Sequence, residues 1–228
     1  KAVDMFEAVH RGDIRVIWIM GTNPAVSLPD SARVREALAR CPTVIVSDCV
    51  AHTDTTDLAD ILLPAAGWGE KDGTVTNSER RISRQRRFLH LPAEVKPDWW
   101  IMSAVAKKLG FGEAFGYKRP ADIFREHAAL SAHENNGERL FNLAGLANLS
   151  DAGYEALTPV QWPVLKGAGA ETEGSTRLFS DGRFVTANQR ARFVAIETRL
   201  AAQQPSDDYP LVVNTGRIRD QWHTMTRT

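Results

Sequence analysis

The chain has 228 residues, enough for one large domain or for one domain and part of another. Lys and Arg number 28, Asp and Glu also 28, so the formal net charge is zero and gives no case for nucleic acid or an anionic membrane as a partner. No apolar run approaches the roughly 18 residues of a membrane span. Two cysteines, Cys41 and Cys49, exclude a disulfide scaffold, and the lack of Cys-x-x-Cys excludes an iron–sulfur or zinc-ribbon site built from this chain alone.

In the first part of the chain, the sequence predicts helices and strands in alternation. Helical periodicity predicts helices over 2–11 and 31–40 and a short one over 55–59, with Asp30 as an N-cap. Continuous apolar runs predict buried strands over 16–20, 43–47 and 61–63. This β-α-β-α-β order is typical of an α/β fold, a Rossmann-like parallel sheet flanked by helices.

The later part of the chain gives weaker signals. They predict extended segments over 75–81 and 82–88, helices over 97–109 and 120–130, and a short helix over 150–157. Arg177–Phe179 and Phe184–Thr186, separated by Ser180-Asp181-Gly182, predict a β-hairpin. The stretch 203–209 is interpreted as a linker, and a new strand is expected to begin at Leu211, which places a domain boundary between 205 and 206.

Polar residues follow the first two predicted strands where each strand ends. Ligands of open parallel sheets bind outside the carboxyl ends of the strands. Gly21 would let a ligand approach the backbone, Asn23 can both donate and accept, and Ser47 with Asp48 could bind a ribose diol. A plain strand-to-helix turn at Gly21 and a capping role for Asp48 remain open alternatives.

Two further stretches carry charge. Gly67–Asn77 is rich in Gly and Thr and contains Lys71, which could meet a pyrophosphate, although a solvated loop explains it equally well. Ser78–Arg87 holds five arginines, and the alternation through Arg81, Ile82 and Ser83 favours a strand with one charged face over a nucleic-acid site.

The densest polar stretch is "TGRIRDQWHTMTRT", Thr215–Thr228, directly after the last predicted strand. Arginines, a tryptophan and many hydroxyl donors suit a large anionic cofactor. The histidines elsewhere in the chain lack metal-ligand spacing with an acidic partner, and "HTDTTD" (His52–Asp57) is better explained by helix capping.

Taken together, "WIMGTNPAVSLPD", "ADILLPAAGWGEKDGTVTNSERRIS", "KPDWW" and "NTGRIRDQWHTMTRT" resemble bacterial assimilatory nitrate reductases of the molybdopterin oxidoreductase family. In that family the third domain is an α/β nucleotide-binding unit and the fourth is a β-barrel. The resemblance implies that residues 1–205 are the C-terminal part of the third domain. Residues 206–228 would be a linker with the first strand and loop of an incomplete barrel domain.

The resemblance also implies a cofactor and its contacts. The cofactor is bis(molybdopterin guanine dinucleotide) molybdenum, with a 4Fe-4S cluster in the parent protein whose ligands are not in this chain. A guanine edge and a ribose are expected to be shared between Asp48 and Asp98, and Lys71 would offset pyrophosphate charge. By matching position, the implied contacts are Asn23, Ser47, Asp48, Lys71, Asp98, Thr215, Gly216, Arg217, Ile218, Arg219, Asp220, Gln221, Trp222, His223 and Thr224.

The implied activity of the parent is the two-electron reduction of nitrate to nitrite, with oxygen-atom removal at molybdenum and an electron donor protein or reductase subunit as partner. Catalytic residues and metal ligands are not expected in this chain, which is interpreted as a cytoplasmic fragment that is inactive alone. Alternatives are a fragment of a periplasmic nitrate reductase or formate dehydrogenase, and a stand-alone nucleotide-binding module without redox activity.

Overall fold

The computed structural model describes residues 1–167 and 177–213. The chain divides into two compact units, Lys1–Arg190 and Ala191–Thr228. The prediction that a nucleotide-binding domain ends at residue 205 and a barrel strand follows stays a prediction.

A parallel three-stranded sheet forms the first layer of the larger unit. Its strands are β1 (Val16–Met20), β2 (Thr43–Asp48) and β3 (Ile61–Pro64), in the order β1-β2-β3. Ile17 lies opposite Val44, and Val46 opposite Leu62. The predicted α/β fold with a parallel sheet is confirmed, and because the strands are parallel their carboxyl ends meet at one edge.

Four helical segments belong to this layer: α1 (Ala2–Arg11), α2 (Pro24–Ser27), α3 (Ser31–Arg40) and a short 3₁₀ turn at Thr56–Leu58. The Asp30 side chain accepts a hydrogen bond from the Arg33 amide at 3.2 Å, which confirms the predicted cap. Helices α1 and α3 pack with β1 and β2 around one apolar core, whose members are Phe6, Val9, Ile17, Ile19, Val34, Ala37, Leu38, Cys41, Val44 and Val46. Both cysteines of the chain are free thiols.

An antiparallel sheet lies beside a second core in the same unit. It contains β4 (Gly73–Thr76), β5 (Arg81–Gln85) and β6 (Val160–Gln161), in the order β4-β5-β6. The longer helices are α4 (Asp98–Lys108) and α5 (Pro120–Ala132), followed by a 3₁₀ turn at Ala144–Leu146 and the short α6 (Asp151–Glu155). The second core draws on β5, β6, α5 and α6, and its members are Ile82, Ala121, Phe124, Ala128, Leu143, Leu146, Tyr154, Leu157, Val160 and Val164.

The hairpin predicted around Ser180-Asp181-Gly182 is wrong. Residues 177–190 form turns without a strand. Phe179 takes a positive φ of 57° and stacks on Phe184 with the ring centroids 4.6 Å apart. The Phe184 amide donates to the Gln189 carbonyl instead of pairing with 177–179. A turn signal alone does not make a hairpin where the flanking residues bond locally.

The described part of the second unit, 191–213, contains neither helix nor strand and is exposed throughout. Ser206 and Tyr209 exchange backbone hydrogen bonds across a turn in the predicted linker. Leu211, Val212 and Val213 are in no strand, and the residues after Val213 lie outside the described part. Within the described ranges, none of the helices combines the length and apolar character that a membrane crossing needs.

Candidate functional site

The carboxyl ends of β1, β2 and β3 are tied together by backbone hydrogen bonds. The Gly21 amide donates to the Ser47 carbonyl at 3.0 Å, and the Ala65 amide donates to the Asp48 carbonyl at 3.0 Å. Gly21 has a φ of +59°, a conformation that favours glycine at this turn. We call the residues at and just after the ends of the three strands, 21–23, 47–49 and 65–71, the strand-end edge.

Asn23 lies at the strand-end edge at the start of α2 and is partly exposed. Its Oδ1 accepts a hydrogen bond from the Thr55 hydroxyl at 2.6 Å, and the Thr55 oxygen in turn accepts from the Ala25 amide at 3.1 Å. The buried Thr55 therefore fixes the orientation of the Asn23 amide. The sequence interpretation treated His52–Asp57 as capping residues and missed this role, although Thr53 and Thr56 do bond each other as a cap would.

Ser47 is fully buried, and its Oγ accepts a hydrogen bond from the indole Nε1 of Trp18 at 2.8 Å. This hydrogen bond joins the neighbouring strands β1 and β2 close to their carboxyl ends. The structure therefore gives Ser47 a supporting role, and a direct contact of Ser47 with a cofactor stays a prediction.

Asp48 and Lys71 act on the same neighbour, Cys49. Burial of part of the thiol raises the pKa of Cys49, the Asp48 carboxylate raises it further, and the Lys71 ammonium acts in the opposite direction. One Asp48 oxygen, Oδ1, accepts the Val50 amide at 2.9 Å.

Lys71 and Asp98 form an ion pair, with Nζ and Oδ2 3.1 Å apart. The backbone leading into α4 brings Asp98 there: the Lys96 amide donates to the Pro64 carbonyl, and the Ala66 amide donates to the Lys96 carbonyl. About a third of each charged side chain remains exposed, at 31% and 36%. The pair is therefore partly accessible from solvent.

Backbone bonds place Asp48 and the segments that carry Lys71 and Asp98 along one edge of the sheet, and Asn23 follows β1 at the same edge. This set offers carboxylates, an amide and one ammonium, a composition that fits a guanosine with its phosphates. The predicted contacts Thr215–Thr224 lie outside the described residues.

The sequence interpretation also missed Arg84. It occupies a core-facing position of β5, with only 1% of its side chain exposed, and pairs with Glu155 at 2.9 Å. A signal was present, because Arg84 follows Ile82 by two residues and a strand turns such residues to the same face.

The sequence of the chain was compared with those of known protein families. Residues 1–108 match the family model described as molybdopterin oxidoreductase. Residues 1–108 therefore resemble the molybdopterin oxidoreductase family.

Along nearly its whole length the chain is similar to enzymes named nitrate reductase and formate dehydrogenase. The nitrate reductase of Klebsiella oxytoca is 53% identical over 228 residues, which is 99% of this chain and 25% of that protein. The F420-dependent formate dehydrogenase subunit alpha of Methanocaldococcus jannaschii is 36% identical over 218 residues, 95% of this chain and 29% of that protein. The chain therefore spans about a quarter of the length of the curated relatives that it matches.

A solved structure with a similar fold is acetylene hydratase from Pelobacter acetylenicus. The TM-score is 0.55 at 15% identity, covering 82% of this chain and 23% of that one. At this identity the likeness concerns the fold alone, and it agrees with the α/β architecture described above.

Proposed function

We propose that this chain is the cofactor-holding part of a cytoplasmic, assimilatory nitrate reductase that uses bis(molybdopterin guanine dinucleotide) molybdenum. The observation that carries the proposal is the Lys71–Asp98 pair at the strand-end edge, where about a third of each charged side chain remains exposed. Similarity to a nitrate reductase along nearly the whole chain supports nitrate as the substrate of the parent protein.

The donor set of the strand-end edge fits one dinucleotide arm of this cofactor. A carboxylate accepts both adjacent donors of the guanine Watson–Crick edge, so Asp48 or Asp98 binds the base and the other binds the ribose. Lys71 offsets pyrophosphate charge, and Asn23, oriented by Thr55, supplies a neutral contact. Ser47 holds Trp18 and so supports the end of β2.

The remaining proposed contacts come from the stretch Thr215–Thr224. Its arginines, Arg217 and Arg219, would bind phosphate and pterin oxygens as forked donors.

When bound, the cofactor supplies the two-electron redox chemistry and the protein supplies orientation and charge. This chain's residues bind the nucleotide ends and offset phosphate charge. We place the 4Fe-4S cluster and the site that receives electrons from a donor protein or reductase subunit in other segments of the parent, so the isolated chain is expected to be inactive.

A formate dehydrogenase is the second candidate, because a relative of that name is 36% identical over 95% of this chain. Both candidates share the cofactor proposed here. They differ in substrate, and substrate turnover separates them.

The test uses protein produced from the complete reading frame that contains this chain. We expect oxidation of a reduced viologen dye with nitrate and no dye reduction with formate, and no nitrate reduction by the 228-residue chain. Lys71→Met should lower the activity and the molybdenum content of the complete protein together, because it removes the phosphate-facing charge. Lys108→Met, an exposed lysine at the end of α4, removes the same charge elsewhere and should leave both unchanged. Formate turnover without nitrate turnover would overturn the choice of substrate.

A further inference from the structure

Arg84 lies at a buried position of β5, where the alternation of exposed and buried residues predicts an apolar side chain. In β5 the buried residues are Ile82 and Arg84, which face the second core. A guanidinium with 1% exposure is unfavourable unless its donors are used. The hydrogen-bond partners of Arg84 therefore indicate the role of this buried charge.

Part of the Arg84 charge is satisfied by α6. Nη2 donates to Glu155 Oε2 at 2.9 Å, and the guanidinium lies over the Tyr154 ring, 4.1 Å from the centroid. Glu155 itself is 65% exposed. The buried Nε of Arg84 has no hydrogen-bond partner among the described residues. The ion pair with Glu155 alone therefore does not explain why the Arg84 side chain is buried.

One further Arg84 contact reaches the segment that follows Lys71, where Nη1 donates to the Gly73 carbonyl at 2.5 Å. Nη1 also donates to the Gln85 carbonyl at 3.1 Å within β5 and to the Tyr154 hydroxyl at 3.3 Å. Gly73 is two residues after Lys71 and begins β4. The next residue back, Asp72, accepts the Arg87 amide at 3.0 Å. Strand β5 and the residues just after it thus hold both residues that follow Lys71.

We propose that Arg84 is a positioning residue for phosphate recognition: by fixing the Gly73 carbonyl it sets where the Lys71 ammonium stands at the strand-end edge. The inference rests on the proposed function, since Lys71 must meet phosphate for its placement to matter. It links the second core to the cofactor-binding edge through one side chain. A lysine could reach only one of the partners that the guanidinium fork contacts together.

The probe is GDP, which carries the guanosine and both phosphates, and guanosine is its uncharged counterpart. Dissociation constants for both are measured by NMR titration of the 228-residue chain and its variants. The wild-type chain should prefer GDP over guanosine by about fivefold, the size of one partly exposed charge contact. Lys71→Met should abolish that preference and leave guanosine binding unchanged.

Arg84→Met removes the donor to Gly73 without leaving a buried charge unpaired. It should abolish the GDP preference and spare guanosine, and the double variant Arg84→Met/Lys71→Met should lose no more than Lys71→Met does. Arg84→Lys, which keeps one donor, should restore part of the preference. Glu155→Gln is the matched control, because it removes the ion pair and leaves the Gly73 contact, and it should bind both ligands as the wild type does.

The outcomes separate the two proposals. A wild-type chain without GDP preference contradicts phosphate recognition at this edge and the role of Arg84 with it. If Lys71→Met loses the preference and Arg84→Met keeps it, only the Arg84 inference is wrong. Equal weakening of GDP and guanosine binding by Arg84→Met shows a purely structural role. Should Arg84→Met fail to fold, Arg84→Lys decides: unchanged GDP preference, or equal weakening for both ligands, overturns the inference.

Discussion

Single side chains at the strand-end edge are held by partners far away in sequence. Lys71 and Asp98 meet across 27 positions, and Asn23 meets Thr55 across 32. An ion pair with a third of each side chain exposed contributes about 0–1 kcal/mol, so exchanging Asp98 for a phosphate at Lys71 costs little. The sequence could mark Asn23, Asp48 and Lys71 as polar residues after strands. It could not reveal the role of Thr55 or the contacts of Arg84 with Gly73 and Glu155, because these partners are set by the packing of separate elements.

The Trp18–Ser47 bond gives a prediction at the residue scale. Ser47→Ala leaves the indole N–H of Trp18 without its acceptor and should lower the free energy of unfolding by about 1–3 kcal/mol. Trp18→Phe and the double variant complete a cycle, measured by urea unfolding. The double variant should be more stable than the sum of the single losses implies, because it leaves no unpaired donor. Additive losses would show that the hydrogen bond contributes nothing specific.

Whole elements were predictable where local signals agreed. The three parallel strands and helices α1 and α3 follow from apolar runs, periodicity and the Asp30 cap. Strand β6 was missed because it has two residues and pairs with β5, where Val160 lies opposite Ile82. The hairpin at 177–186 was wrongly predicted from a turn signal without cross-strand partners. A short strand such as β6 forms because it pairs with a strand far away in sequence, and its own residues alone do not predict that pairing.

Helices α1 and α3 are joined by ion pairs that make stability depend on pH. Hydrogen bonding from Arg33, at 3.0 Å, lowers the pKa of Glu7, and hydrogen bonding from His10, at 3.1 Å, lowers that of Glu36. A lowered folded-state pKa contributes stability above the ordinary value near 4.5, and this stability is lost as pH falls through the folded-state value.

The urea midpoint should therefore fall as the pH is lowered below about 5. Glu7→Gln should make that fall smaller, because one of the two linked carboxylates is gone. Glu94→Gln changes an exposed glutamate outside α1 and α3 and serves as the control. An identical pH dependence in wild type and Glu7→Gln would contradict the linkage.

At the scale of the whole molecule, fold and function were predictable to different depths. The α/β class followed from the order of elements. Residue spacing alone left a plain turn at Gly21 and a solvated loop at Lys71 open, and only the resemblance of four long motifs indicated a molybdenum cofactor. The match of residues 1–108 to the molybdopterin oxidoreductase family supports that step. The chain spans about a quarter of its curated relatives, so the strand-end edge would be one side of a larger cofactor site.

The most direct measurement is the cofactor content of protein purified from the complete reading frame. Acid hydrolysis releases the nucleotide of a dinucleotide cofactor, and elemental analysis counts the molybdenum. The account predicts GMP in twice the amount of molybdenum, as the bis(molybdopterin guanine dinucleotide) form requires. Protein that is folded and yields neither molybdenum nor GMP would contradict the account.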